Sequence, residues 1–360
     1  MHLGYLARVA DPSPPVWPDQ LRPGPHNAVT DVAGVRVGHH QRTDDGWLTG
    51  TTVVLAPAGT TGGLDIRGGG PAVTDTALLD PSAMVQHVDA VCFSGGSAFG
   101  LAAADGVRTW LAEQHTGFRV GPEPHHVVPI VPGAALFDLG LGGAYGNRPD
   151  AAFGYAAAAA AADGPVPMGT VGAGTGAHAG HLKGGIGTAS VVLPSGITVA
   201  ALVALNSAGS PVDPHTGALW GLARALPGEF TVSEPNPAAL AEFRAHVPTP
   251  RDLNTTLAVV VTDAALSKAE CTRLAGAAHD GMARAIDPIH QYTDGDVAFA
   301  LATGAHVVAD GDEQMAGARF AALGALGAAA ADAVARAIVH ATLAATPAGG
   351  LPTYRDAFHP

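Results

Sequence analysis

The sequence predicts a mixed α/β fold built from many short elements, and three observations carry that prediction. Short apolar, β-branched runs recur between turn-forming residues, with 48 glycines and 28 prolines in 360 residues, the pattern of strands closed by tight turns. Amphipathic helical segments are interleaved with these runs, and a strand, tight turn and helix follow one another from Ala90 to Glu113. Hydrophobic residues make up 47% of the chain and charged residues 14%, a balance that fills a core and excludes a wholly disordered chain. The length suits one large layered domain or two ordinary ones and does not choose between them.

The elements read in order as follows. Residues 1–26 hold six prolines, among them Pro12, Pro14 and Pro15, and are expected to form an extended arm, with the domain starting at Asn27. Strands are expected at Val35–Val37, Thr52–Leu55, Ala90–Phe93, Ala189–Leu193 and Ile197–Leu205. The segment Ser97–Glu113 places Leu101, Ala104, Val107 and Leu111 on one helical face, with Ser97 as the expected N-cap. Residues 226–252 turn Pro-rich and charged and are expected to be a mobile connecting loop without a regular element. The run Thr255–Thr262 follows as a buried-type strand. Ser267 and Glu270 form a capping box ahead of a helix whose Leu274, Ala278, Met282 and Ile286 share a stripe. A strand at Val297–Ala302 and an Ala-rich helix from about Gln314 to Ala344 close the chain, and no internal repeat is evident.

A net charge of −13 opposes nonspecific binding to nucleic acid or to an anionic membrane, because both partners demand basic patches. Two cysteines, Cys92 and Cys271, make neither a disulfide framework nor a metal signature. With no basic leader followed by an apolar core, the expected location is the cytoplasm. The paired histidines His39-His40, His125-His126 and His178 with His181 lack the spacing of metal sites, so no metal and no cofactor are expected.

Two glycine-rich stretches resemble known motifs and fail on spacing. Gly95-Gly96-Ser97-Ala98-Phe99 has Phe where a nucleophile elbow needs glycine. Gly172-Ala173-Gly174-Thr175-Gly176 is not a dinucleotide loop, but it leads into a glycine-dense segment that carries one lysine, Lys183. The chemically suggestive place is Asn254-Thr255-Thr256, where the Pro-rich loop passes straight into an apolar strand. Attack of the Thr255 hydroxyl on the Asn254 carbonyl would give an ester that water cleaves. Thr255 would then own a free α-amine of pKa roughly 7.7–8.0, able to act as base toward its own hydroxyl.

These residues sit in longer matching stretches: Asn27–Gly38, Asp65–Gly69, Ser94–Leu101, Gly172–Thr188 and Asn254-Thr255-Thr256. In them the chain resembles the DmpA family of N-terminal-nucleophile aminopeptidases and amidases, especially its 6-aminohexanoate-oligomer (nylon-oligomer) endo-hydrolases. The resemblance runs from about Asn27 to Thr303. It implies a four-layered α/β/β/α sandwich, of the kind shared with ornithine acetyltransferases, self-cleaved into chains 1–254 and 255–360. It also implies Thr255 as nucleophile, Lys183 as a site lysine, Asn206 to polarise the scissile carbonyl, and Asp294 and Asp296 to support the new amino terminus. Tyr145 matches a site tyrosine. Family aminopeptidases hold the substrate's free amine with acidic side chains, and Pro129–Asp138 shows no clear counterpart. The expected substrate is therefore a small peptide or an amide oligomer, and the expected partners are the chain's own cleaved half and further copies of itself. Two other functions compete: acetyl transfer to glutamate, whose cleavage motif is not seen here, and an uncleaved binding protein that kept the fold.

Overall fold

The computed structural model describes residues 21–245, 253–308 and 316–359. The expected arm up to residue 20, the end of the Pro-rich loop at 246–252 and the expected helix start at Gln314 lie outside them. The strands are β1 Arg36–Arg42, β2 Thr49–Leu55, β3 Thr61–Ile66, β4 Ala72–Thr74, β5 Ala90–Ser94, β6 Phe118–Arg119 and β7 Val127–Val128. They continue as β8 Gly133–Ala135, β9 His178–Ala179, β10 Leu182–Lys183, β11 Gly185–Val192, β12 Thr198–Leu205, β13 Leu257–Ala264 and β14 Val297–His306. The helices are α1 Ala103–Glu113, α2 Ala151–Ala159, α3 Pro237–Ala245, α4 Lys268–Ala285, α5 Ala316–Ala344 and α6 Tyr354–Phe358.

Two five-stranded sheets form the middle of the molecule, in the orders β1-β2-β5-β8-β4 and β11-β12-β13-β14-β3. Side chains alternate between the faces of the second sheet, as a period of two requires. Val199, Ala201 and Val203 of β12 point to α4 and α5, whereas Ala200, Leu202 and Ala204 point to the first sheet. The rings of Phe93 and Phe299 meet across the two sheets at 6.0 Å. The outer face of the first sheet packs through Val53, Leu55 and Cys92 on Ala104, Val107 and Ala158 of α1 and α2. The molecule is thus the four-layered α/β/β/α sandwich that the sequence implied.

Small residues let the helical layers come close. A side chain on Gly187 of β11 would strike the carbonyl oxygen of Ala337 at 2.0 Å, so α5 rests backbone-on-backbone over that strand. By length and composition α5 could cross a membrane; here its Ala333, Val334, Ala337, Ile338 and Ala341 are buried on the second sheet. A buried Val, Leu or Phe contributes roughly 1.5–3 kcal/mol, against roughly 1 kcal/mol net for a hydrogen bond. The apolar layers therefore hold the fold, and the polar groups of the site are positioned by them.

Three local expectations need correction. Ser97 is not an N-cap: it has φ +52° in a 3-10 turn over Ser97–Ala102, no side-chain bond closes the cap, and Asp138 Oδ1 accepts the Gly96 N–H instead. The Pro-rich loop contains a regular element, α3, whose Pro237 sits in the first turn, where a missing N–H costs nothing. Its Phe243 packs on His181 and Phe358. The packed domain also starts ahead of Asn27, since Arg22 pairs with Val192 and the Gly24 N–H reaches Ser190 Oγ at 2.9 Å. The capping box of Ser267 and Glu270 forms as expected at the start of α4.

Candidate active site

β13 begins at Leu257, two residues later than the apolar run suggested, and Asn254, Thr255 and Thr256 form a buried lead-in. That lead-in runs parallel to Asp294, just before β14. The peptide unit between Asn254 and Thr255 is held at both polar atoms. The Asn254 carbonyl oxygen accepts from the Gly295 N–H at 2.9 Å, and the Thr255 N–H donates to the Asn206 carbonyl at 2.7 Å. The Thr255 hydroxyl donates to the same Asn254 carbonyl at 2.5 Å. An N–H already on that oxygen is placed to take up negative charge were the carbonyl attacked.

Asp294 and Asp296 come together beneath the lead-in, both buried. Asp296 Oδ1 accepts from the Thr256 N–H at 2.7 Å, and its Oδ2 lies 2.8 Å from His290 Nδ1. Asp294 Oδ2 accepts from the Gln291 N–H, and the buried carboxyl also faces the Ala208 N–H. Burial, reinforced by the Asp296 carboxylate alongside, raises Asp294 to about 6.

Lys183, 1% exposed, donates from Nζ to the carbonyls of Gly174, Ala177 and Gly184 at 2.7–2.8 Å. Burial lowers it to about 7, opposed by the charge of Asp138. Asp138 is itself raised to about 6 by burial, against bonds from Thr49 and Gly96 and the attraction of Lys183. Lys183 thus ties down the glycine-rich segment and shares no hydrogen bond with Thr255. The Asn206 side chain also bonds away from Thr255. Its Oδ1 accepts from the His178 N–H at 3.0 Å and its Nδ2 donates to the Phe137 carbonyl at 3.1 Å. Asn206 therefore meets the Asn254–Thr255 peptide unit through its backbone carbonyl, and the N–H on the Asn254 carbonyl comes from Gly295.

Tyr145 is not brought into this group: it is 62% exposed on the turn after Asp138 and shares no hydrogen bond with the buried residues. Sequence reading missed Gly295, between the two aspartates, whose Cα faces the Thr255 hydroxyl so closely that a Cβ would stand 2.6 Å from it. It also missed Asp138, His290 and His178; the last was weighed only as a metal ligand, and its Nε2 lies 2.9 Å from Asn254 Nδ2. Among the described residues no three His, Cys, Asp or Glu side chains gather as a metal ion would require.

The description of peptidase family S58 matches residues 27–354. The chain belongs to peptidase family S58. An uncharacterized aminopeptidase of Mycobacterium bovis is 50% identical to it over 345 residues, 92% of this chain and 98% of the relative. A 6-aminohexanoate-oligomer endohydrolase of Kocuria sp. is 30% identical over 324 residues, 81% and 84% of the two chains. A β-aminopeptidase of Burkholderia sp. superposes with TM-score 0.69 at 28% identity, over 93% of this chain and 92% of that one. The L-aminopeptidase D-Ala-esterase/amidase of Ochrobactrum anthropi, described as a variant of the Ntn hydrolase fold, gives TM-score 0.66 at 23% identity, over 94% and 91%, a likeness of fold alone. This S58 chain is a hydrolase of peptide or amide bonds.

Proposed function

We propose that the chain cuts itself between Asn254 and Thr255, and that the freed Thr255 then hydrolyses amide bonds through an acyl-enzyme. The observation that carries this reading is the Thr255 hydroxyl seated against the Asn254 carbonyl, whose oxygen the Gly295 N–H already holds. Thr255 Oγ attacks the carbonyl carbon, the C–N bond breaks with its electron pair and a proton passing to nitrogen, and the acyl group rests on Oγ as an ester. Water then releases the Asn254 carboxylate and leaves Thr255 with hydroxyl and α-amine. The amine formed there lies beside the acidic pair, and Asp294 Oδ1 offers it a buried acceptor. In turnover the amine takes the proton from Oγ as it attacks a substrate amide, and returns it to the leaving amine.

The names of its relatives support small peptides and 6-aminohexanoate oligomers as the substrate class. The experiment is intact-mass analysis of purified protein with Thr255→Ala and Thr255→Ser beside it. Wild type and the serine variant should yield chains on the order of 25 and 10 kDa, the smaller one beginning at residue 255. Thr255→Ala should stay folded, full-length and inactive on a panel of peptides and 6-aminohexanoate oligomers. Cutting at 254/255 by Thr255→Ala, with wild-type turnover, would remove Thr255 from the chemistry.

A further inference from the structure

The cut requires the Asn254 carbonyl to hold one orientation, yet Gly295 and Asn206 grip only the peptide unit itself. The side chain of Asn254 supplies the remaining constraint. It is buried, and its Nδ2 lies 2.9 Å from Nε2 of His178, on a segment 76 residues away in the chain. We propose that His178 is the positioning residue of the self-cut: its imidazole holds the Asn254 carboxamide and so fixes the carbonyl that Thr255 attacks. The proposal rests on the reading of Thr255 as nucleophile and names what sets the geometry of that reaction.

His178 stands on a platform already fixed by other means. Its backbone N–H donates to Asn206 Oδ1, and β9 pairs it opposite Lys183 in β10. The preceding carbonyl, of Ala177, accepts from Lys183 Nζ at 2.7 Å and from the Gly184 N–H at 3.0 Å. A carboxamide nitrogen is a donor only, so His178 Nε2 is the acceptor of this bond. With the side chain held by His178, the carbonyl oxygen by Gly295 and the next N–H by Asn206, rotation about the bonds of Asn254 is closed off. This arrangement gives the Lys183 and Asn206 side chains a role, since neither hydrogen-bonds to Thr255. They anchor the segment that presents His178.

The test follows precursor cutting over time by intact mass in cell-free synthesis. His178→Phe keeps a flat ring and loses the acceptor, whereas His178→Gln retains an acceptor at similar reach. His178→Phe and Asn254→Ala should each slow cutting roughly tenfold, the worth of one buried hydrogen bond. The double variant should be no slower than the slower single, because both remove the same bond, and His178→Gln should recover most of the rate. Wild-type cutting by His178→Phe, or slowing that multiplies in the double variant, would overturn the proposal. Should His178→Phe fail to fold, Asn254→Ala reads the same bond from its other end, and wild-type cutting there overturns it equally. Cutting by Thr255→Ala is a different outcome, which would overturn the nucleophile reading and leave the His178 variants to be judged by their own rates.

Discussion

Replacing Gly295 with alanine tests whether the Thr255 hydroxyl must sit where it does. Gly295 does not occupy the left-handed region of backbone space, so alanine adds bulk there without backbone strain. Its Cβ would stand 2.6 Å from Thr255 Oγ1 and 2.8 Å from the Gly70 carbonyl oxygen. Ordinary contact begins at 3.4 Å, so the hydroxyl would have to retreat by about 0.8 Å, and a displacement near 1 Å costs on the order of a hundredfold in rate. The backbone cannot yield in its place while Gly295 N–H holds the Asn254 carbonyl, because moving that N–H also weakens the oxyanion contact. Gly295→Ala should therefore accumulate full-length chain, with a cutting half-life on the order of a hundred times that of wild type, read as band intensity or intact mass over time. Because the added Cβ also meets the Gly70 carbonyl oxygen, its melting temperature should fall below that of uncut Thr255→Ala. Gly295→Ala that matures with wild-type kinetics would refute the reasoning, since the hydroxyl would then have freedom that the structure denies it.

Two further predictions concern charge. Asp294 is raised from 3.8 to about 6, chiefly by burial, so the folded chain binds that proton more tightly than the unfolded chain does. Stability should fall as pH rises from about 4 to about 6 and stay lower above that, by at most about 3 kcal/mol; urea midpoints of Thr255→Ala should show this slope and Thr255→Ala/Asp294→Asn should lack it. A slope that survives the asparagine would assign the effect elsewhere. Arg336 pairs with Glu229 at 2.6 Å, and His340 and Asn27 join them. Burial pushes Glu229 up, but His340 and Arg336 outweigh it and hold it at about 2, so its contribution is present above pH 4.5 and is lost as pH falls through about 2. Arg336→Met strands a buried carboxylate and should cost about 3–5 kcal/mol, letting the two chains of cut protein separate at lower urea in size-exclusion runs; unchanged co-elution would show that the cluster does not clamp them.

The layers were legible in the sequence wherever a strand is buried on both faces. Ile197–Leu205 and Val297–Ala302 are continuous apolar runs for that reason, and their strands lie within a few residues of where those runs suggest. The capping box at Ser267 was equally plain, because it is a contact between residues three apart. α3 was hidden by the prolines in and around it, which read as breakers although Pro237 suits a first turn. Thr255, Asp294 and Asp296, which the fold brings together, stood out in the sequence as residue types, but their contacts did not. The bond from Asn254 to His178 and those from Thr49 and Gly96 to Asp138 depend on how strands and loops far apart in sequence come together, which no local spacing encodes. Gly295 escaped notice because its contribution is an N–H and an absent side chain, and neither leaves a signature in a list of reactive residues.

The order of the second sheet gives the proposed cut a consequence for the molecule's later life. β13 and β14 follow residue 254, whereas β11, β12 and β3 precede it, so the small chain is wedged between strands of the large one. With that cut, the chain would fold while its halves are tethered and then lose the tether. Recovery from unfolding would be unimolecular for Thr255→Ala and bimolecular for the cut protein, falling away on dilution. The mature form would be a product of its own assembly history, durable while intact and unable at low concentration to rebuild itself once taken apart.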